Sequence, residues 1–172
     1  MSLFIASLNS GSNGNCYYVG NNTEAVLIDA GISCRETEKR MKRLGLSIRN
    51  VKAIFISHEH SDHISGLETL SNKYGLPVYL TEATLVNVRL NVRKELLHYF
   101  SSHERIKISN LTIKAFPKFH DACDPHSFII QNEEVCVGVF TDIGKVCEQI
   151  IYHFKQCHAV FLEANYDAAM LA

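Results

Sequence analysis

Three imidazoles and a carboxylate fall within six consecutive positions, His58-Glu59-His60-Ser61-Asp62-His63. They follow a largely apolar run, Val51 to Ile56, with Ser57 between. Such a cluster makes a poor core and a wasteful surface, but it suits a loop wrapped around a metal. Neutral imidazole binds zinc, iron, nickel and copper, and a carboxylate adds compensating charge for a divalent ion. In an extended or turning segment, His58 and His60 point to one side while Asp62 and His63 reach a second point nearby. The spacing therefore predicts two metals rather than one, against the plainer reading of a solvated histidine-rich loop.

Other polar residues recur at the ends of predicted strands: Asp29, His120 and Asp142. Strand ends on one side of a layered domain are where loops converge on a site. His120 is expected to join His58 and His60 at the first ion, with His126 as its competitor. Asp62, His63 and Asp142 are expected at the second ion, with Asp142 bridging the two. Asp29 is expected to accept a hydrogen bond from a ligand or a backbone amide and fix its orientation. Asp62 and Asp29 are the carboxylates assigned to catalysis. Two cations about 3.5–4 Å apart make water a nucleophile near neutral pH, which is hydrolysis without a side-chain nucleophile. Ser57, Ser61 and Cys123 invite a Ser–His or Cys–His reading. The histidines are better used as ligands, and no pair of base and orienting acid is evident. Cys123 is read as a small residue near the site.

The elements that must position these residues follow from periodicity and turn chemistry. Leu3–Leu8, Cys16–Val19 and Ala25–Ile28 read as strands of an antiparallel meander, the first two separated by the polar turn Asn9–Asn15. Arg35–Leu44 reads as a helix, with Ser33 as N-cap and Gly45 as stop. Its basic residues form a solvated face rather than a phosphate site. Ala53–Ser57 is the strand that delivers the histidine cluster. Ile64–Tyr74 reads as a helix closed by Gly75, and Pro77–Leu80 as a strand. Glu82–Phe100 reads as a helix and Lys107–Phe116 as a strand. Ser127–Ile130 and Val135–Thr141 make a hairpin, followed by a helix over Val146–Phe154 and a strand over Ala159–Leu162. Two sheets back to back with helices outside accommodate this order.

The chain has 172 residues, 47% hydrophobic and 20% charged, which is enough for one domain around one core. A net charge of −1 gives no bulk basic character that would mark a nucleic-acid binder. No apolar stretch approaches twenty residues, and the start lacks a basic region followed by a long apolar one, so neither a membrane span nor a secretion signal is expected. The six cysteines form no C-x-x-C pair and are irregularly spaced, so reduced thiols in a cytoplasmic protein are expected.

His58-x-His60-x-Asp62-His63 after a strand, with Asp29 upstream and His120 and Asp142 downstream, resembles the metallo-β-lactamase fold superfamily across essentially the whole chain. Within it, the loop Ser10-Gly11-Ser12-Asn13-Gly14-Asn15 is similar to the YycJ (WalJ) group. So are Leu27–Gly31, Ile56–His63, His120-Asp121-Ala122, Thr141–Gly144 and Leu162–Asp167. The resemblance implies an α+β fold, a four-layer αβ/βα sandwich with a two-metal site at one edge. The metal it implies is zinc, with manganese or iron as alternatives. It also implies a cytoplasmic phosphodiesterase with 5′→3′ exonuclease activity on DNA. One departure stands out. The family pattern has a further histidine after the Glu163–Asp167 segment, in a Gly-His-Leu-Ser setting, and this sequence closes on Met170-Leu171-Ala172. A single domain over 1–172 with its second half incomplete is therefore expected. An exposed sheet edge open to homodimerisation would follow. A hydrolase of thioesters, lactones or β-lactams with the same ligands, or an inactive shortened domain, are the alternatives to the nuclease.

Overall fold

The computed structural model describes residues 2–163; the expected features over 164–172 lie outside the described residues. Its first sheet runs in spatial order β1 (Phe4–Asn9), β2 (Cys16–Gly20), β3 (Ala25–Ile28), β4 (Val51–Phe55), β5 (Val78–Leu80) and β6 (Leu97–Tyr99). The β1–β2–β3 meander is antiparallel, and β3 to β6 are parallel. The second sheet runs β11 (Ala159–Leu162), β10 (Cys136–Phe140), β9 (His126–Gln131), β8 (Leu111–Pro117) and β7 (Arg105–Ile108), antiparallel except for the β10–β11 pair.

Alternate residues of each strand serve two different interfaces. Tyr17, Val19, Val26, Ile28 and Phe55 of the first sheet meet Leu111, Ile113, Phe128, Ile130 and Val139 of the second. On the outer face of the first sheet, Tyr18, Leu27 and Ile54 pack against Met41 of α1 (Cys34–Arg43) and Leu67 and Leu70 of α3 (Leu67–Tyr74). On the outer face of the second, Phe116, Ile129 and Phe140 pack against Ile150 of α5 (Glu148–Phe154). The result is the expected four-layer αβ/βα sandwich. Because both faces of β2 and β3 are covered, every residue in them is buried and neither shows clean alternation.

Three expected elements differ. The helix expected over Glu82–Phe100 is helical only over α4 (Glu82–Val86). Asn87 ends it, its side-chain amide donating to the Ala83 carbonyl. The following segment is held on α3 by Asn72 and Glu68, which bond the backbone of Asn91 and Arg93. Leu97–Tyr99 then joins the sheet as β6, with His98 stacked on Tyr79. The single strand expected over Lys107–Phe116 is a hairpin that turns at Ser109, whose φ is +53°. The expected Ile64–Tyr74 helix is interrupted at Gly66, which separates α2 (Ser61–Ile64) from α3. A Cβ on Gly66 would lie 1.9 Å from the Ile32 carbonyl oxygen.

Gly31 shows the same close approach beneath the histidine cluster. A Cβ there would meet the Asp62 carbonyl oxygen at 1.6 Å. Gly31→Ala is therefore expected to displace the Asp62 backbone and destabilise the chain by about 2 kcal/mol. A shift of the urea midpoint at unchanged slope would show it.

His153 of α5 is buried against the Phe116 ring, with centroids 4.3 Å apart. Burial, aided by Lys114 and His103, pushes its pKa from 6.5 down to about 4. The folded state thus resists protonation that the unfolded chain accepts. The stability this group contributes is fully present above pH 6.5 and is lost as pH falls towards 4. His153→Phe is expected to flatten the fall in melting temperature between pH 6.5 and 4 relative to the parent chain.

Candidate metal centre

The histidine cluster begins where β4 ends, and α2 turns its second half back towards the first. Asn15 and Ala30 clamp this turn through backbone bonds, Asn15 N–H to the Asp62 carbonyl at 2.6 Å and Ala30 N–H to the His63 carbonyl at 2.8 Å. Ser61–Ile64 is a single helical turn, within the extended or turning segment expected from sequence.

Two groups of ligand atoms converge, with the atoms of each group within 4.8 Å of one another: those of His58, His60 and His120, and those of His58, His63 and Asp142. In the first, His58 Nε2 lies 3.1 Å and His120 Nε2 3.3 Å from His60 Nδ1. The remaining nitrogen of His58 faces Ser57 Oγ at 2.9 Å, and that of His120 faces Asp121 at 3.0 Å. With those protons engaged, the Nε2 lone pairs of His58 and His120 both face His60 Nδ1. Burial, followed by neighbouring cationic groups, holds His58 far below the usual imidazole range. Burial and then Lys118 lower His120. A proton on His60 Nδ1 satisfies only one of the two lone pairs that face it, whereas a cation draws on all three nitrogens. Zinc–imidazole bonds of ~2.0–2.1 Å in a tetrahedron place nitrogens ~3.3 Å apart, so the donor set fits such an ion.

In the second group, His63 donates from Nδ1 to Asp29 Oδ2 at 2.7 Å, and its Nε2 faces Asp142 Oδ2 at 3.0 Å. Burial opposes charge on His63, but Asp29 and Asp142 outweigh it and raise the pKa to about 10. Burial works against the Asp142 carboxylate, and His63 then carries it well below the usual carboxylate range. A divalent ion between these groups would take the place of that proton. Asp62, expected in this group, stands beside it with Oδ2 3.6 Å from His63 Nε2, partly open to solvent. His58 serves both groups, its ring 4.0 Å from that of His63.

Asp29 is fully buried and accepts three hydrogen bonds: from Ser57 N–H (2.8 Å), Ser57 Oγ (2.9 Å) and His63. Ser57 thus belongs to a base-and-acid arrangement that its sequence did not disclose, but it is sealed from solvent and turned to Asp29 rather than to a substrate. His126 lies apart from both groups, with Nε2 to Ser102 Oγ at 2.8 Å and Nδ1 to the Asp124 carbonyl at 2.9 Å. Cys123 is on an exposed loop against Asn87.

Three residues at the site were not singled out from sequence. Asn15 reaches His63 Nε2 at 3.1 Å and Asp62 at 3.4 Å. Its position in a Gly- and Asn-rich turn disguised it as turn chemistry. Lys118 is buried and donates to the Thr141 carbonyl at 2.7 Å, beside Asp142. Burial lowers its pKa to about 8 against the pull of Asp29, Asp142 and Glu163. Tyr17 bonds Ser10, Asn15 and Glu163 and links the first loop to the last described residue. Nothing in the sequence flags Lys118 or Tyr17.

A strand-end loop holding three histidines and an aspartate, met by His120 and Asp142 from a second sheet, defines a class of metal-dependent proteins. The chain belongs to the metallo-β-lactamase superfamily, whose family model matches residues 10–138. That membership implies a divalent metal at this site. The chain is 35% identical to the exodeoxyribonuclease YycJ of Bacillus anthracis, over 99% of its own length and 66% of that protein's. It is 29% identical to the exodeoxyribonuclease WalJ of Streptococcus pneumoniae, over 95% and 63%. It therefore spans just under two thirds of the length of these relatives. Among solved structures, the metallo-β-lactamase fold protein YhfI from Bacillus subtilis superimposes with a TM-score of 0.77 at 15% identity, covering 98% of this chain and 74% of that one.

Asp29→Asn tests the support beneath the metal groups. The asparagine amide would face the Nδ1 proton of His63, forcing the other tautomer and placing a proton on Nε2, the atom aimed at Asp142. Metal affinity is expected to fall about 10–100-fold with the fold retained, measured by competition with a chromogenic chelator.

Proposed function

We propose that this chain carries a two-metal hydrolytic centre for phosphodiesters, acting on DNA as a 5′→3′ exonuclease. The observation that carries the reading is the double convergence of His58, His60 and His120 and of His58, His63 and Asp142. The substrate class is supported by the two bacterial relatives, both exodeoxyribonucleases. The ions are proposed to be zinc, with manganese or iron as alternatives. His58, His60 and His120 would hold the first, and His63, Asp62 and Asp142 the second, with Asp142 shared. Bound divalent ions supply a water ionised near neutral pH and positive charge for the leaving oxygen.

The chain's own residues do the rest. Asp29 fixes the His63 tautomer through the Nδ1 proton. Ser57 Oγ does the same for His58. Asp121 orients His120. Asp62 and the partly exposed His60 and His120 face the open side, where a scissile phosphate enters. Lys118, enclosed beneath Thr141, offsets the negative charge of Asp29 and Asp142 without reaching substrate.

The proposed setting is cytoplasmic; among the described residues no helix is long and apolar enough to cross a membrane. The proposed domain is 1–172, read as one metallo-hydrolase domain. Homodimerisation along β11, an edge strand among the described residues, is a separate proposal, and a monomer by light scattering at high concentration would exclude it.

The reading is tested by metal analysis and an activity panel. Protein purified without added metal is expected to hold about two equivalents of divalent ion. It is expected to shorten 3′-labelled single-stranded DNA, to lose this activity to a chelator and to regain it with zinc or manganese. His58→Ala should abolish both metal retention and cleavage while the circular dichroism spectrum is unchanged. Unaltered metal content in His58→Ala would refute the site. Hydrolysis of a chromogenic lactam or thioester with no action on DNA would refute the substrate class.

A further inference from the structure

Away from the metal centre, two thiols meet on the second sheet. Cys136 opens β10, and Cys157 precedes β11 by two residues; their Sγ atoms are 3.9 Å apart. Both are partly open to solvent, as is Cys147, whereas Cys16 and Cys34 are buried and Cys123 is alone on its loop. The approach is fixed by the backbone on both sides. His158 N–H donates to the Cys136 carbonyl at 2.8 Å, and Cys136 N–H donates to His158 Nδ1 at 3.1 Å. Cys157 N–H closes the end of α5 on the Phe154 carbonyl at 3.1 Å. Gly138 makes room for the second sulfur, since a Cβ there would meet Cys157 Sγ at 3.0 Å. A disulfide needs the sulfurs at ~2.05 Å, a closure of ~1.9 Å from the separation seen here.

We propose that Cys136 and Cys157 form a reversible dithiol–disulfide site, oxidised by a small-molecule disulfide such as oxidised glutathione. The Cys136 thiolate attacks one sulfur of the small disulfide and expels one thiolate, which takes up a proton. Cys157 then gives its proton to solvent and attacks the Cys136 sulfur of the mixed disulfide, expelling the second thiol. The protein loses two hydrogens and two electrons' worth of reduction; the small disulfide leaves as two thiols. The direction of attack agrees with the sulfur–sulfur contact, which lowers the Cys136 pKa. The bond would tie together the two ends of the segment that holds β10, Asp142 and α5. It restricts the unfolded chain across that segment and so stabilises the strand that carries Asp142 to the metal groups.

The test equilibrates the chain with oxidised glutathione, alkylates the remaining thiols and maps the peptides by mass spectrometry. The expected product lacks two hydrogens and joins the peptide containing Cys136 to that containing Cys157. Its melting temperature should rise by about 5 °C and return on reduction. Cys136→Ser and Cys157→Ser should each lose both effects. Glutathione stably attached to either thiol, or a cross-link involving other cysteines, would overturn the proposal. So would a joined pair with no rise in melting temperature. Peptide mapping of the parent chain decides the matter even where a serine variant fails to fold.

Discussion

The buried carboxylate of Asp29 is the interaction on which the rest of the site depends. An ionised carboxyl withdrawn from water is costly unless its oxygens are fully hydrogen-bonded. Here the three donors come from Ser57 and His63, on the strand and motif neighbouring the one that ends in Asp29. The charge can be buried only if β3, β4 and α2 are all in register. Conversely, once it is buried, the ring of His63 has one orientation and one tautomer. Fold and the geometry of the histidine cluster are thus coupled through a single buried side chain.

The same coupling appears in the backbone. Asp29 and Asp142 both adopt left-handed conformations, with φ of +61° and +49°. Non-glycine residues rarely do so, and such conformations persist where the surroundings over-determine them. At Asp29 the surroundings are the three hydrogen bonds and the backbone bond to Phe55. At Asp142 they are the Lys118 bond to Thr141 and the Ile143 bond to Glu163. In both places the chain turns sharply off a strand; Asp29 bonds Ser57 and His63 beside its own sheet, and Asp142 reaches His63 from the second sheet. The metal groups therefore draw on both sheets, and neither sheet alone could assemble them.

The elements that carry the site were legible in the sequence to different degrees. The β4 strand, the histidine cluster, the hairpin and the last strand could be read because apolar runs bounded by turn residues are local signals. The Glu82–Phe100 segment could not. Its helical periodicity was overridden by side chains of α3 that bond its backbone and by the open edge of β5 that recruits β6. Gly66 looked like an ordinary helix residue; its meaning depends on the carbonyl of Ile32, which lies far away in the chain.

For function the division is similar. The residue types and spacing of His58, His60, Asp62 and His63, with Asp29, His120 and Asp142 at strand ends, determined that this is a metal-binding chain, because ligand chemistry is a property of side chains. Only the tertiary structure decided the groupings. It made His58 common to both, set Asp62 at the rim, and drew in Asn15 and Lys118. It also turned Ser57 inward and brought Cys136 to Cys157. Each of these follows from the separation of atoms in space across two packed sheets, a quantity that order along the chain does not contain.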